Sequence, residues 1–458
     1  MKKEIFRGEA PTLESLPRSP YPWGFMGFLI LTMAVPRLYS LVNAFWVGRI
    51  SMHAPAVSEQ YEFVALLLEV IHETVSVGVL ALVARTFFDG GRSERKDSVG
   101  IWKAGGISAL VLAGGVGLMV FLGTERFTAA VGTQGAIAQE TILYLRLRAL
   151  GIPLEACALV GLTALKSLRR GGMVLGLALL SVCCNILFDL LLLSDFPFSL
   201  QWGLQGSALA FLGAQAILLT TSFAMLLRTA GVSLPSFAAH PWRCHIKPLF
   251  AVGGWSGAES LVRNAGYAGI LVLLNSMGTD EYGGYGIAMN ILWTALIPVL
   301  AVTEGTNVLV GNLLGGSRGE SIPRAIRISS LLTALYLGGL GILGFFLWDS
   351  VAATFTMNPA MVAYSKTAFL GLMIPYILMG LSWQVKSLFY GTGETRPILL
   401  IALMLNGLLT LPFVLAVQRG ILGLSFRNVL LYFAAALVMD LLCTLFFGLR
   451  VWRKVQKR

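Results

Sequence analysis

Asn185 and, one helical turn later, Asp189 lie in an unbroken apolar run from Gly172 to Leu193 that is long enough to cross a bilayer. A carboxylate within a membrane span costs at least ~2.5–3.5 kcal/mol on insertion scales, so it faces a bundle interior or a wet cavity and marks function. Ser181, Asn185 and Asp189 recur at every fourth residue, which puts all three on one face of a helix. Amide and carboxylate oxygens so placed suit a proton or a hard monovalent cation such as Na⁺. The plainer alternative is an interfacial residue: Asp189 lies about a turn from the end of the run, near Asp195 and Pro197.

Other charged and polar side chains interrupt the apolar runs. Arg37 follows Pro36 near the middle of the first, too deep to reach the headgroups easily, and calls for a carboxylate partner. The next run carries Glu62, Glu69 and Glu73 on one helical face, and Glu69 or Glu73 is the expected partner. His72, between them, reads as a satisfied core residue. Further on, Glu259 and Arg263 are four residues apart and either neutralise each other or meet a substrate, with Asn264 beside them. Asn290 and Glu304 add polar atoms to the same interior, Glu304 in Thr303-Glu-Gly-Thr-Asn307 being the stronger candidate.

The elements that must hold these residues follow from composition. The chain has 458 residues, 56% hydrophobic and 12% charged, with a mean hydropathy of +0.77. Soluble domains carry about 25% charged residues. Apolar runs of ~20 residues, the length needed to span ~30 Å of hydrocarbon, centre near Leu31, Leu68, Val111, Gly151, Leu180, Phe211, Tyr267, Pro298, Leu337, Pro375, Leu405 and Ala436. The expected fold is an all-α polytopic membrane protein of twelve transmembrane helices.

The net charge of +11 does not point to nucleic acid, because the basic residues collect in alternate connections: Arg85 to Lys103, Lys166 to Arg170, Arg228 to Lys247, Arg318 to Arg327, Lys386 to Arg396, and both ends of the chain. By the positive-inside rule these are cytoplasmic, which places both termini inside. The first twenty residues have no apolar stretch resembling a signal peptide. Cys157, Cys183, Cys184, Cys244 and Cys443 lack metal-ligand spacing and read as packing residues. The absence of a phosphate-binding loop, a metal cluster or a nucleophile elbow argues against an enzyme.

The polar connection at 231–246, with Pro235 and Pro241, divides the chain into an amino-terminal six-helix lobe, 1–230, and a carboxy-terminal one, 247–458. The second half echoes the first. Val385-Lys386-Ser387-Leu388 mirrors Leu165-Lys166-Ser167-Leu168, and Asn406 stands where Asn185 stands in the first copy. Six helices are an even number, so both copies share one orientation and are related by an axis along the membrane normal, with a central cavity between them.

These residues resemble the multidrug and toxic compound extrusion (MATE) family of secondary transporters, within the multidrug/oligosaccharidyl-lipid/polysaccharide exporter superfamily. The resemblance covers most of the chain. It rests on Val-x-x-x-x-Val-Gly-Arg from Val42 to Arg49, Tyr-Leu-Arg-Leu-Arg-Ala-Leu-Gly at 144–151, Asn185-x-x-x-Asp189, Gly-Ile-Ala-Met-Asn at 286–290 and Val-Gly-Asn-Leu-Leu-Gly at 310–315. It implies that Asn185 and Asp189 bind the coupling cation, Na⁺ or H⁺, with no other cofactor. The chain departs from the family pattern at Asn43, where many relatives carry an aspartate, and at Gly253-Gly254-Trp255, where Gly-Leu-Pro is common.

The function so implied is cation-coupled antiport by alternating access, exporting an amphipathic, cationic or zwitterionic compound across the cytoplasmic membrane. Arg37, Glu69, Glu73, Glu259, Arg263, Asn264, Asn290 and Glu304 are the candidates for the substrate cavity or a charge relay. The expected partners are a small-molecule substrate and the lipid bilayer, with no nucleic acid, and the chain is expected to be monomeric. The alternative within the superfamily is a flippase for a lipid-linked or polyprenyl substrate, which Arg37 and Arg263 favour.

Overall fold

The computed structural model describes residues 23–50, 61–86, 92–130, 135–194, 196–316, 318–355 and 358–456. Among them twelve helical rods follow one another, with no strand. The first six are α1 (Trp23–Ile50), α2 (Tyr61–Thr86), α3 (Arg92–Ala130), α4 (Gly135–Ser167), α5 (Gly171–Leu192) and α6 (Gly203–Ala230). A short helix, Leu234–Ala239, lies in the connection that follows. Then come α7 (Arg243–Asn275), α8 (Thr279–Ala295 and Ile297–Gly315), α9 (Ile322–Ala352), α10 (Pro359–Thr392), α11 (Arg396–Leu405 continuing to Leu411–Gln418) and α12 (Phe426–Val455).

These rods form because a segment in hydrocarbon has to satisfy its backbone donors and acceptors internally, and a helix does so. Ten helices are long and apolar enough to span a membrane among the described residues. The apolar stretch of α1 within those residues is the shorter Gly24–Arg37. In α7 the polar trio Glu259, Arg263 and Asn264 interrupts the apolar run. The break in α8 follows from Pro298, which has no N–H for the carbonyl four residues before it, yet Leu296 N–H and Leu300 N–H still carry the ladder across. A single π turn, Asn406–Thr410, widens α11 at Asn406.

Large apolar side chains point outward, among them Leu122, Val272 and Phe346, as expected of a surface bathed in lipid. Inside, α1 to α6 share one apolar core built around Leu145, Ile152, Leu165 and Leu177. Helices α7 to α12 pack around Ile270, Leu372 and Phe369 toward one end and around Val310, Phe389 and Ile401 toward the other. The two halves meet where α2 crosses α7. There the backbones touch: a methyl added at Gly253 would overlap the Thr74 carbonyl, and one at Gly257 would overlap the Thr74 hydroxyl.

Candidate functional site

The buried stripe of α5 is Val174, Leu177, Ala178, Ser181, Asn185 and Asp189, so the helical period alone carries both polar residues into the lobe interior. Asp189 is fully buried. The Tyr39 hydroxyl of α1 donates to Asp189 Oδ2 at 3.0 Å, while Asp189 Oδ1 has no hydrogen-bond partner. Asn185 Nδ2 donates back to the Ser181 carbonyl at 3.0 Å, which leaves Asn185 Oδ1 buried and without a donor. Two unsatisfied oxygens, one of a carboxyl group and one of an amide, thus sit one turn apart. Buried acceptors of this sort are rare unless something occupies them, and one carboxylate with one amide oxygen fits a single proton or a single monovalent cation. Asn43 is not joined to that pair. Its Oδ1 accepts from Ser207 Oγ of α6 at 3.3 Å.

The same lobe contains an arginine whose chemistry the sequence did not disclose. The Arg148 guanidinium of α4 lies 3.9 Å from the Tyr61 ring centroid and 3.7 Å from that of Phe211. Clamped between α2 and α6, it braces the lobe by stacking.

A second polar group occupies the α2–α7 crossing. Arg263 Nη2 donates to Glu69 Oε1 and Arg263 Nε to Glu259 Oε1, both at 3.0 Å. Asn264 Nδ2 donates to Glu69 Oε2 at 2.8 Å, and Ser256 Oγ donates to Glu73 Oε2 at 3.0 Å. The arginine that these glutamates hold is therefore Arg263. The expected pairing of Arg37 with Glu69 or Glu73 gives way to this one, because α7 and not α1 lies against their face of α2. The side chain of Glu62 lies outside what the structure describes.

Arg37 instead lines a cavity of about 800 Å³ between α1, α7 and α8. Its walls include Met33, Tyr267, Tyr285, Asn290 and Trp293. Asn290 faces this cavity, with its Nδ2 tied to the Gly286 carbonyl at 3.1 Å. Glu304 does not share that wall: Lys166 Nζ binds both of its carboxylate oxygens at 2.9 Å. Lys166 and Lys386, counted from sequence among the basic connections, are in fact inside helices with largely buried side chains. Of the residues that sequence reasoning missed, Tyr39 had no signal of its own. Lys166 had one, since it follows the apolar run 156–165 without a break.

Residues 256–415 match the family model described as MatE. A segment of 181 residues is 23% identical to the "Probable multidrug resistance protein NorM" of Thermotoga maritima, covering 39% of each chain. Solved structures match nearly end to end. One described as an "Outward-facing conformation of a multidrug resistance MATE family transporter of the MOP superfamily" has a TM-score of 0.84 at 17% identity, covering 95% of this chain and 96% of its own. Another, described under "Reverse polarity of binding pocket suggests different function of a MOP superfamily transporter from Pyrococcus furiosus Vc1 (DSM3638)", has a TM-score of 0.83 at 17% identity over the same shares. The family model matches part of the carboxy-terminal half, and the fold is shared along the whole length, so this chain has the multi-pass helical membrane fold of the solved MATE transporters it resembles.

Proposed function

We propose that the protein is a secondary active exporter of amphipathic organic compounds, driven by antiport of a cation and working by alternating access. The observation that carries this reading is the pair of unsatisfied oxygens, Asp189 Oδ1 and Asn185 Oδ1, buried in the amino-terminal lobe. One carboxylate there binds one H⁺ or one Na⁺, and the loaded site is then neutral and cheaper to carry through a low-dielectric state. Asn185 and Asp189 hold the ion, and Tyr39 orients the carboxylate. Asn43, bonded to Ser207, flanks the site. The lobes 1–230 and 247–458 are the moving units, joined by 231–246, and the chain acts as a monomer in the cytoplasmic membrane with both termini inside.

The substrate occupies the cavity lined by Arg37. The acids expected to face the interior are engaged by other side chains. As folded, Glu69 and Glu259 serve Arg263, Glu73 serves Ser256 and Glu304 serves Lys166. Among the described lining residues the charged one is Arg37, beside tyrosines, Trp293 and Asn290. A cation over an aromatic ring gains about 0.5–2 kcal/mol. The tyrosines and Trp293 suit a cationic or aromatic body, and Arg37 and Asn290 a polar end, so the cavity fits a cationic or zwitterionic amphiphile.

Proteoliposomes test this directly. With Na⁺ and H⁺ gradients imposed in turn, movement of an anionic, a zwitterionic and a cationic fluorescent amphiphile is followed. Gradient-driven movement that prefers the cationic and zwitterionic probes is expected. Movement of a lipid-linked probe that ignores both gradients would replace antiport with flipping, and a preference for the anionic probe would overturn the cationic or zwitterionic assignment.

A further inference from the structure

Lys166 and Lys386 occupy matching places in the two repeats, near the ends of α4 and α10. Their side chains are only 10% and 14% exposed, so each ammonium requires an acid. Lys386 finds one in its own lobe. Its Nζ donates to Asp440 Oδ1 and Oδ2 of α12 at 2.7 and 3.0 Å, and Ser382 Oγ donates to Asp440 Oδ2 at 2.5 Å. The corresponding stretch of α6 reads Leu219-Thr220-Thr221-Ser222, with no acid. Lys166 therefore reaches across the lobe boundary to Glu304 of α8.

Position makes this difference consequential. The cavity is walled by the last third of α7 and the first part of α8. The opposite end is shut. There Asn312 Nδ2 donates to the Ala84 carbonyl at 2.9 Å, and Gly315 packs on the Arg85 carbonyl. Lys166 lies one residue before the end of α4, on that shut side. When lobes separate there, the Lys386–Asp440 pair travels intact within its lobe, whereas Lys166 and Glu304 have to part. A second ion pair also crosses the boundary, Arg263–Glu69, but Arg263 keeps Glu259 of its own helix when Glu69 leaves. Lys166 and Glu304 have no second charged partner within ion-pair distance among the described residues. Glu304, 27% exposed, is the member that water reaches first.

We propose that Lys166–Glu304 is a latch between the lobes whose release gates opening of the cavity on the side now closed. The inference rests on the alternating-access reading above. The latch holds the closed side shut by a contact that is good only while both charges are withheld from water, and incoming water that hydrates them releases it. The repeats thereby differ in function although both keep the lysine, because only one keeps an acid for it in its own lobe.

The test uses the full chain with its five cysteines replaced, carrying spin labels at Ser233 and Glu320, which are exposed in the connections on the closed side. The inter-lobe distance distribution is measured in lipid nanodiscs by double electron–electron resonance. Lys166→Met combined with Glu304→Gln preserves net charge, so it tests the latch without leaving a bare ion. It is expected to raise the ratio of long to short distances at least tenfold over the parent. The exchange Lys166→Glu with Glu304→Lys is expected to restore the parent distribution. An unchanged ratio in the neutral pair, or an exchange variant that behaves like the neutral pair, overturns the latch. A parent protein that shows no long-distance population under any gradient or substrate overturns the alternating-access reading, and the latch with it.

Discussion

Asp189 and Thr410 stand at the same place in the two repeats, four residues after Asn185 and Asn406. Both asparagines turn their amide to the carbonyl four residues back, Ser181 at 3.0 Å and Ala402 at 2.9 Å. Both following residues meet a tyrosine hydroxyl, Tyr39 in one lobe and Tyr432 in the other. Duplication has kept the asparagine bonds and left the charge in one copy, while the two tyrosines come from helices that do not correspond, α1 and α12. Asp189→Asn, which imitates the loaded site permanently, is expected to fold and reach the membrane yet lose gradient-driven transport by at least ~100-fold, ~2.7 kcal/mol at 1.36 kcal/mol per decade. Thr410→Val should transport within about twofold of the parent, under ~0.5 kcal/mol on the same scale. Parental rates in Asp189→Asn would transfer the search to the carboxylates at the α2–α7 crossing. Asn43→Asp adds a second acid beside Ser207 and is expected to change the Na⁺ or H⁺ dependence without abolishing transport, as read from rates at fixed substrate and varied ion.

At the scale of elements, polar contacts between helices do what apolar ones cannot in lipid, since lipid tails are as apolar as leucine. The α10–α12 contact is an instance, with Lys386, Asp440, Ser382 and Thr444 in one buried network. Removing one member of a buried pair leaves a bare charge and costs about 3–5 kcal/mol, while replacing both with apolar residues is often neutral. Lys386→Met should therefore lower the thermal unfolding midpoint in detergent sharply, and Lys386→Met with Asp440→Leu should recover most of the loss. If the double variant is no better than the single, the network matters for more than its charge balance. The α2–α7 crossing depends on close backbone approach instead. Gly253 was visible in the sequence only as a departure from a family pattern. Its reason, the Thr74 carbonyl packed against it, belongs to a helix some 180 residues earlier.

For the whole molecule, orientation is the property with the plainest test. Glu125 and Arg146 form an exposed ion pair near the end of the chain hairpin opposite the basic connections. A cysteine at Glu125 is expected to react with a membrane-impermeant thiol reagent in intact cells, and one at Ser233 to be protected. Labelling in the opposite sense would invert the topology and with it the direction of transport.

The twelve spans were legible because what makes a helix in a bilayer is local: a run of apolar residues and backbone hydrogen bonds closed within four residues. The inward face of α5 was legible for the same reason, its polar residues repeating at the helical period. Proline positions marked the irregular places, as at Pro298. Pairing was not legible. Glu69 has Arg263 as its partner, 194 residues away, and Lys166 has Glu304, 138 residues away. An acid in a span announces that it needs a base, but which base it meets depends on how whole helices cross, and that is decided by packing along their full length. Sequence alone thus determined how many helices there are and which residues had to be turned inward; the tertiary structure decided which acids remained for a substrate and which became the joints between the lobes.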